Sequence, residues 1–308
     1  MSLIYELFPK RLLDVFSCLD QYLNDIQEIR IRVNRPVTIR IHGVEKVVLK
    51  EGQVGEKIQA AFCLNEKDIE DIVRHLCHAS PYAYEEEIKR GYMTVRGGHR
   101  VGLAGQAVLS ADGAIKTLKN IAFINIRIAH EVKGAGEREL SVIYNKNRIH
   151  NTLIVSPPGY GKTTLLRDII RNISNGTTYA KGKNCVIIDE RSELAGCYNG
   201  VPQLDVGMRT DVMDSCPKSI GMMMAIRSMA PQVMAVDELG TEDDIRALFA
   251  VVRSGCSILA TVHGDSIENL CERNYLREVI HEKVFSRYII IKNRQHDVEI
   301  WDGNWNKC

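Results

Sequence analysis

Residues 156–164 read Ser-Pro-Pro-Gly-Tyr-Gly-Lys-Thr-Thr, and their types and spacing suit them to hold a phosphate chain. Gly159 and Gly161 let the backbone curl so that successive N–H groups point inward at a β-phosphate, while the N-terminus of a following helix adds its positive end. Pro158, Tyr160 and Thr164 complete the cradle. Lys162 is placed to reach the β- and γ-phosphates, and Thr163 to ligate Mg²⁺. The usual Walker A pattern, G-x-x-x-x-G-K-[ST], opens on glycine; here Ser156 stands at that position, a small residue that the turn out of a strand should tolerate.

Three further apolar runs end in groups with chemistry. Val233-Met-Ala-Val leads into Asp237 and Glu238, the arrangement of a Walker B segment. Asp237 would hold Mg²⁺ through water, and Glu238 would polarise the water that attacks the γ-phosphate. Cys185-Val-Ile-Ile leads into Asp189, Glu190, Arg191, Ser192 and Glu193. These acids read either as a solvated loop or helix N-terminal turn, or as a second acidic cluster, with Glu190 acting near the metal or the attacking water. Ser257-Ile-Leu-Ala leads into Thr261, Val262 and His263. A lone histidine there is either structural or a sensor of the γ-phosphate. Arg227 lies just before the Walker B run, as a helix-end cation or a tether to the catalytic site, and spacing alone leaves both open.

Such residues need a frame. Thr152-Leu-Ile-Val enters the phosphate loop, and Leu165, Leu166, Ile169, Ile170 and Ile173 share one helical face beyond it. Apolar runs at 152–155, 185–188, 233–236, 257–262 and 288–291, separated by helical stretches or loops, predict a parallel or mixed sheet covered on both faces. A sheet of that kind binds ligands at the carboxyl ends of its strands. The first half has a different rhythm. Residues 1–25 read as a helical lead-in. Ile29, Ile31 and Val33, then Val37, Ile39 and Ile41, alternate with polar residues around the turn Asn34-Arg35-Pro36, predicting a hairpin with one apolar face and one arginine face. A helix over about 66–79, a glycine-punctuated β unit over 91–105 and a strand over 123–128 follow. The expected organisation is an α+β domain over 1–130, a linker over 131–147 marked by Gly134 and Gly136 among charges, and a nucleotide-binding domain over 148–308.

Composition bounds the partners. The 40 Lys+Arg against 39 Asp+Glu leave a net charge of +1, so nothing global calls for a polyanion. The nine cysteines form no C-x-x-C pair and read as small buried apolar residues in a reducing compartment. No run approaches a membrane span, and the first residues lack a signal peptide's apolar stretch, so a soluble, cytosolic protein is expected.

The second half resembles the type II/type IV secretion ATPases, a RecA-like family that forms hexamers. The likeness runs through the phosphate loop, the acidic box 189–193, the approach Arg227-Ser-Met-Ala-Pro231 to Asp237-Glu238, and the box from Ser254-Gly255 to Thr261-Val-His263. Departures mark a divergent branch: the acidic box usually reads Glu-Asp-x-x-Glu, and the usual glycine before the Walker B glutamate is Asp237 here. Glu28-Ile-Arg-Ile-Arg-Val-Asn-Arg-Pro-Val, Gly91-Tyr-Met-Thr-Val-Arg-Gly-Gly-His-Arg-Val-Gly and Ile126-Arg-Ile-Ala extend the match across nearly the whole chain, which resembles the stage III sporulation protein AA family.

The resemblance implies a RecA-like P-loop NTPase core, a mainly parallel sheet with helices on both faces, preceded by a smaller α+β domain. It implies ATP and Mg²⁺ as ligands, a homohexamer, and membrane subunits of a mother-cell-to-forespore channel as partners, with the protein on the mother-cell side, peripheral to the membrane. Arg30, Arg32, Arg96, Arg100 and Arg127 become candidates for neutralising a γ-phosphate across subunits. Two rival readings remain: a nucleic-acid-binding RecA-like motor, disfavoured because no aromatic ladder accompanies the arginines, and a nonhydrolysing nucleotide-regulated scaffold.

Overall fold

The structure, a computed structural model, describes residues 3–78, 84–293 and 297–308. Residues 1 and 2 of the expected lead-in and residue 79 of the expected helix lie outside the described residues. The chain divides into two units, Met1–His130 and Glu131–Cys308.

In the first unit, β1 (Ile26–Arg32), β2 (Thr38–Ile41), β3 (Val44–Val48), β4 (Val54–Gly55), β5 (Tyr92–Val95), β6 (His99–Leu109) and β7 (Ile115–Arg127) form an antiparallel sheet in the order β4-β3-β2-β1-β7-β6-β5. Period-two alternation does the sorting. Ile29, Ile31, Ile39, Val101, Leu103, Ile124 and Ile126 are buried on one face, against helices α1 (Leu3–Leu7), α2 (Leu13–Phe16), α3 (Glu66–Leu76) and α4 (Glu85–Arg90). Each fully buried side chain of this size contributes about 1.5–3 kcal/mol. Asn65 and Asp68 start α3 with a reciprocal capping box, which satisfies two N–H groups that the helix itself cannot. The other face of the sheet carries Glu28, Arg30, Arg32, Arg40, Arg100 and Arg127, because the register pairs Glu28 with Arg127 and Arg40, and Arg127 with Arg100.

The second unit begins with α5 (Leu140–Ile143) and the short ribbon β8 (Tyr144–Asn145) and β9 (Arg148–Ile149). There follow β10 (Thr152–Ser156), α6 (Lys162–Asn175), β11 (Cys185–Asp189), β12 (Thr210–Asp214), α7 (Lys218–Ser228), β13 (Val233–Val236), α8 (Glu242–Arg253), β14 (Ser257–His263), α9 (Ile267–Cys271), α10 (Asn274–His281), β15 (Arg287–Ile291) and β16 (Val298–Asp302). The sheet order is β12-β11-β13-β14-β10-β15-β16, parallel except for the antiparallel pair at β16. Its central strands are buried on both faces, one set packing with α7, α8 and α10 and the other with α5 and α6. This is the RecA-like α/β architecture that the resemblance implied. Sequence reading finds the five central strands and misses β12 and β16, which lie at the two edges, are only half-buried, and alternate polar residues with apolar ones.

Residues 131–147 form no free linker. Leu140, Ile143 and Tyr144 are buried against α6, and the Gly136 N–H donates to Asp168 Oδ2 at 2.8 Å. A Cβ on Gly136 would meet Ile169 Cγ1 at 2.6 Å. Glycines and charges suggested a tether; the apolar residues at 140, 143 and 144 are the stronger signal, Leu140 and Ile143 sharing one side of α5 and Tyr144 following in β8. The cysteines also divide. All nine are free, with Cys77, Cys185, Cys197 and Cys256 buried but Cys63, Cys271 and Cys308 exposed. Burial pushes the thiols of Cys185, Cys197 and Cys256 up to about 12, so they behave as apolar filling. Among the described residues no helix is long and apolar enough to cross a membrane.

Candidate functional site

The site is built at the carboxyl ends of three adjacent strands, β13, β14 and β10. Parallel register sets Ser156, the last residue of β10, beside His263, and Val236, the last of β13, beside Ala260. The phosphate loop, Asp237-Glu238 and Thr261-Val262-His263 therefore leave the sheet at one edge. Ser156 is fully buried strand, its Oγ donating to the Pro157 carbonyl at 2.9 Å. It has no positive φ, which explains why glycine is dispensable there. The curl comes later, from Gly159 at φ 77° and Gly161 at φ 89°, in the left-handed region that favours glycine. Gly161 is the residue before α6, so Lys162 and Thr163 open that helix. Pro158 and Gly159 are exposed; Tyr160 and Thr164 are half-buried, and Lys162 is buried.

Thr163 Oγ1 donates to Asp237 Oδ2 at 3.0 Å. The other oxygen, Asp237 Oδ1, accepts from Thr261 Oγ1 at 2.5 Å, and the same Thr261 Oγ1 accepts the Glu238 backbone N–H at 2.7 Å. One hydroxyl on β14 thus fixes both Walker B acids. Glu238 sits at φ 59°, a conformation that costs a non-glycine residue of order 1–3 kcal/mol. That carboxylate has a partner at each oxygen: Arg191 Nη1 donates to Oε2 at 2.9 Å, and His263 Nε2 pairs with Oε1. The other ring nitrogen of His263, Nδ1, is buried and makes no hydrogen bond among the described residues.

The acidic box is divided in labour. Asp189 is buried, and its carboxylate accepts the backbone N–H groups of Glu193, Leu194 and Ala195 at 2.8–3.0 Å, so it organises the loop. Burial pushes the Asp189 carboxyl up to about 6, against the pull of those three donors. Glu190 pairs with Lys218 at the start of α7. Ser192, at φ 53°, donates to Asp214 Oδ1 at 2.5 Å. Behind the loop, the buried Arg167 of α6 donates to the Leu194 carbonyl at 2.5 Å and the Glu193 carbonyl at 2.7 Å.

Five of the seven chemically assigned side chains therefore gather around this edge: Lys162, Thr163, Asp237, Glu238 and His263, with Glu190 close by but tied to Lys218. Arg227 does not join them. It is exposed near the C-terminal end of α7, and α7 runs back along the sheet from Lys218, whose partner Glu190 follows the carboxyl end of β11. A helix joining parallel strands runs antiparallel to them, so its last turn lies at their amino ends. Of the arginine candidates in the first unit, Arg30 pairs with Glu28 at 2.9 Å, Arg100 lies 3.8 Å over the Tyr92 ring, and Arg32 and Arg127 share their face. Arg96 stands apart, in the turn between β5 and β6, 3.3 Å from Glu6. Sequence reading missed Arg191, Lys218, Thr261 and Arg167 as site builders. Arg191 was legible in principle, as the one cation inside an acidic box.

The architecture has solved counterparts. The ATPase DotB of Yersinia pseudotuberculosis superposes with a TM-score of 0.63 at 15% identity, covering 97% of this chain and 81% of that one. The pilus retraction motor PilT, solved with bound ADP, gives 0.58 at 16% identity, covering 92% and 78%. In sequence, the chain is 42% identical over 290 residues to stage III sporulation protein AA of Bacillus subtilis strain 168, spanning 94% of this chain and 90% of that protein. The family model described as sporulation stage III, protein AA matches residues 2–307, and the chain belongs to that family.

Proposed function

We propose that the chain is a Mg²⁺-dependent ATPase that assembles into a ring and energises or gates a mother-cell-to-forespore channel during endospore formation, from the mother-cell cytosol at the membrane facing the forespore. The observation that carries the reading is the contact between Thr163 and Asp237, one side chain from Glu238. That contact brings a hydroxyl and a carboxylate, both oxygen donors suited to a hard cation, to one point beside the loop.

The donor set fits Mg²⁺. Among the described residues no cluster of three or more His, Cys, Asp or Glu side chains could hold a metal alone, whereas Mg²⁺ takes one or two protein oxygens and fills the rest from water and phosphates. Thr163 and Asp237 would supply those oxygens, and the bound ion would neutralise charge on the transferring phosphoryl group. The chain's own work is positioning. Gly159, Tyr160 and Gly161 offer backbone N–H groups, with Pro158 and Thr164 shaping the loop; Lys162 binds the β- and γ-phosphates; Glu238 orients the attacking water; His263 holds the Glu238 carboxylate. An adenine nucleotide is favoured by the ADP in PilT. The γ-phosphate charge is met from a neighbouring copy by the arginine face of the first unit, Arg30, Arg32, Arg100 and Arg127. Further partners are membrane subunits of the channel, and no nucleic acid is required: Tyr92 on that face is already covered by Arg100.

The test is phosphate release as a function of protein concentration, with mass measured in parallel with and without ATP and Mg²⁺. Turnover that rises with assembly and vanishes in Lys162→Ala supports the reading. Turnover that survives in both Lys162→Ala and Glu238→Gln removes it.

A further inference from the structure

In the arrangement described, Glu238 shares its carboxylate between two cationic or proton-donating side chains, which weakens its hold on a water. His263 engages Oε1, and the Arg191 guanidinium occupies Oε2, the oxygen that would otherwise face a water, and competes with it for the carboxylate. The two partners differ in freedom. His263 ends a strand, with its Nδ1 side buried, so it is fixed. Arg191 is anchored through its backbone only: Glu190 before it is tied to Lys218, Ser192 after it to Asp214, and Asp189 and Arg167 pin the rest of the loop. Its side chain is 58% exposed. A long cation on a rigid base, held by one exposed ion pair, exchanges partners easily, because such pairs are worth only about 0–1 kcal/mol.

We propose that Arg191 is a latch on Glu238 that is drawn off by the γ-phosphate. It rests on the reading of Glu238 as the water-orienting base. The guanidinium caps Oε2 when the triphosphate is absent, and a γ-phosphate beside Asp237 offers it a more highly charged partner within reach. When the guanidinium moves to the phosphate, Oε2 is left able to accept a hydrogen bond from water. His263 keeps Oε1 and so keeps the carboxylate in place. One side chain thereby makes the base available only when there is a phosphoryl group to attack. Arg191 is a positioning residue in this scheme, acting on the reacting water through Glu238.

Equilibrium binding of ADP and of a nonhydrolysable ATP analogue to the full chain, both with Mg²⁺, tests this without turnover. Arg191→Ala should weaken the analogue about tenfold, the value of one charge-assisted hydrogen bond, and leave ADP within about twofold. Arg191→Lys should fall between. Glu238→Gln should tighten the analogue relative to ADP, because the competing partner has lost its charge, and adding Arg191→Ala should cancel that gain. Equal effects on both nucleotides, or none on either, overturn the latch. Loss of the latch with an inactive Glu238→Gln leaves the ATPase reading standing, whereas an active Glu238→Gln removes Glu238 as the base and the latch with it, and turnover surviving in Lys162→Ala as well overturns the ATPase reading.

Discussion

Thr163 Oγ1 and Asp237 Oδ2 lie 3.0 Å apart, joining the first turn of α6 to the end of β13. Two elements far apart in sequence are thereby registered on one another. Thr163→Ala removes one oxygen from the set and leaves Asp237 to Thr261 alone. The Mg²⁺ concentration for half-maximal phosphate release should rise by about 10–100-fold, as expected for loss of a supporting metal-site group. The thermal midpoint should stay within a few degrees, since the side chain is only half-buried.

Glu238 and Glu190 differ in surroundings, and their variants should differ accordingly. Glu238→Gln keeps the shape and removes the carboxylate proposed as the base, so turnover should drop by roughly 10²–10⁴, the usual share of general base catalysis. Glu190 is occupied by Lys218, so Glu190→Gln should cost less than about tenfold. Single-turnover phosphate release from both variants compares them directly; an equal collapse in the two would move the base role toward the acidic box.

Gly136 lies where its backbone meets α6. The added methyl of Gly136→Ala would approach Ile169 Cγ1 to 2.6 Å and the Ile169 backbone nitrogen to 3.2 Å. Ile169 is fully buried and has little room to yield. Overpacking of this kind costs about 1–3 kcal/mol. Denaturant unfolding should show a lower midpoint at unchanged slope; an unchanged midpoint would mean that residues 131–147 are not packed as described.

His99 gives the first unit a dependence on pH. Burial, aided by the charge of nearby His130, pushes its imidazole down to about 4 from the ordinary 6.5, and Nδ1 accepts the Ala129 N–H at 3.0 Å. Between those two values the unfolded chain binds a proton that the folded chain refuses. The stabilisation is therefore fully present above pH 6.5 and is lost as pH falls toward 4, by an amount of order 3 kcal/mol. His99→Asn should flatten that slope in chemical denaturation followed from pH 7.5 to 4.5. A slope retained in the variant would assign it to other groups.

The legible parts of this molecule are those where local pattern and burial agree. The central strands β10, β11, β13, β14 and β15 are apolar throughout because both their faces are covered, and the hairpin of β1 and β2 alternates because one face is not. That Lys162, Thr163, Asp237, Glu238 and His263 lie together was legible because loop and strand-end positions converge at one edge of a parallel sheet. Partner choice was not legible. That Glu190 goes to Lys218 and Glu238 to Arg191 depends on side-chain reach across loops, and the choice for Arg227 between helix-end cation and site tether stayed open because spacing says nothing about which end of the sheet a helix terminus occupies. The edges β12 and β16 were missed for the opposite reason: half-buried strands carry a weaker pattern.

Arg167 reaches from the middle of α6 to the carbonyls of Glu193 and Leu194. Mechanically, this makes the phosphate-loop helix and the acidic box one lever. On the proposed reading, a shift of α6 on binding or releasing a phosphate would be passed through these two hydrogen bonds to the loop that carries Glu190 and Arg191, which would couple movement to chemistry.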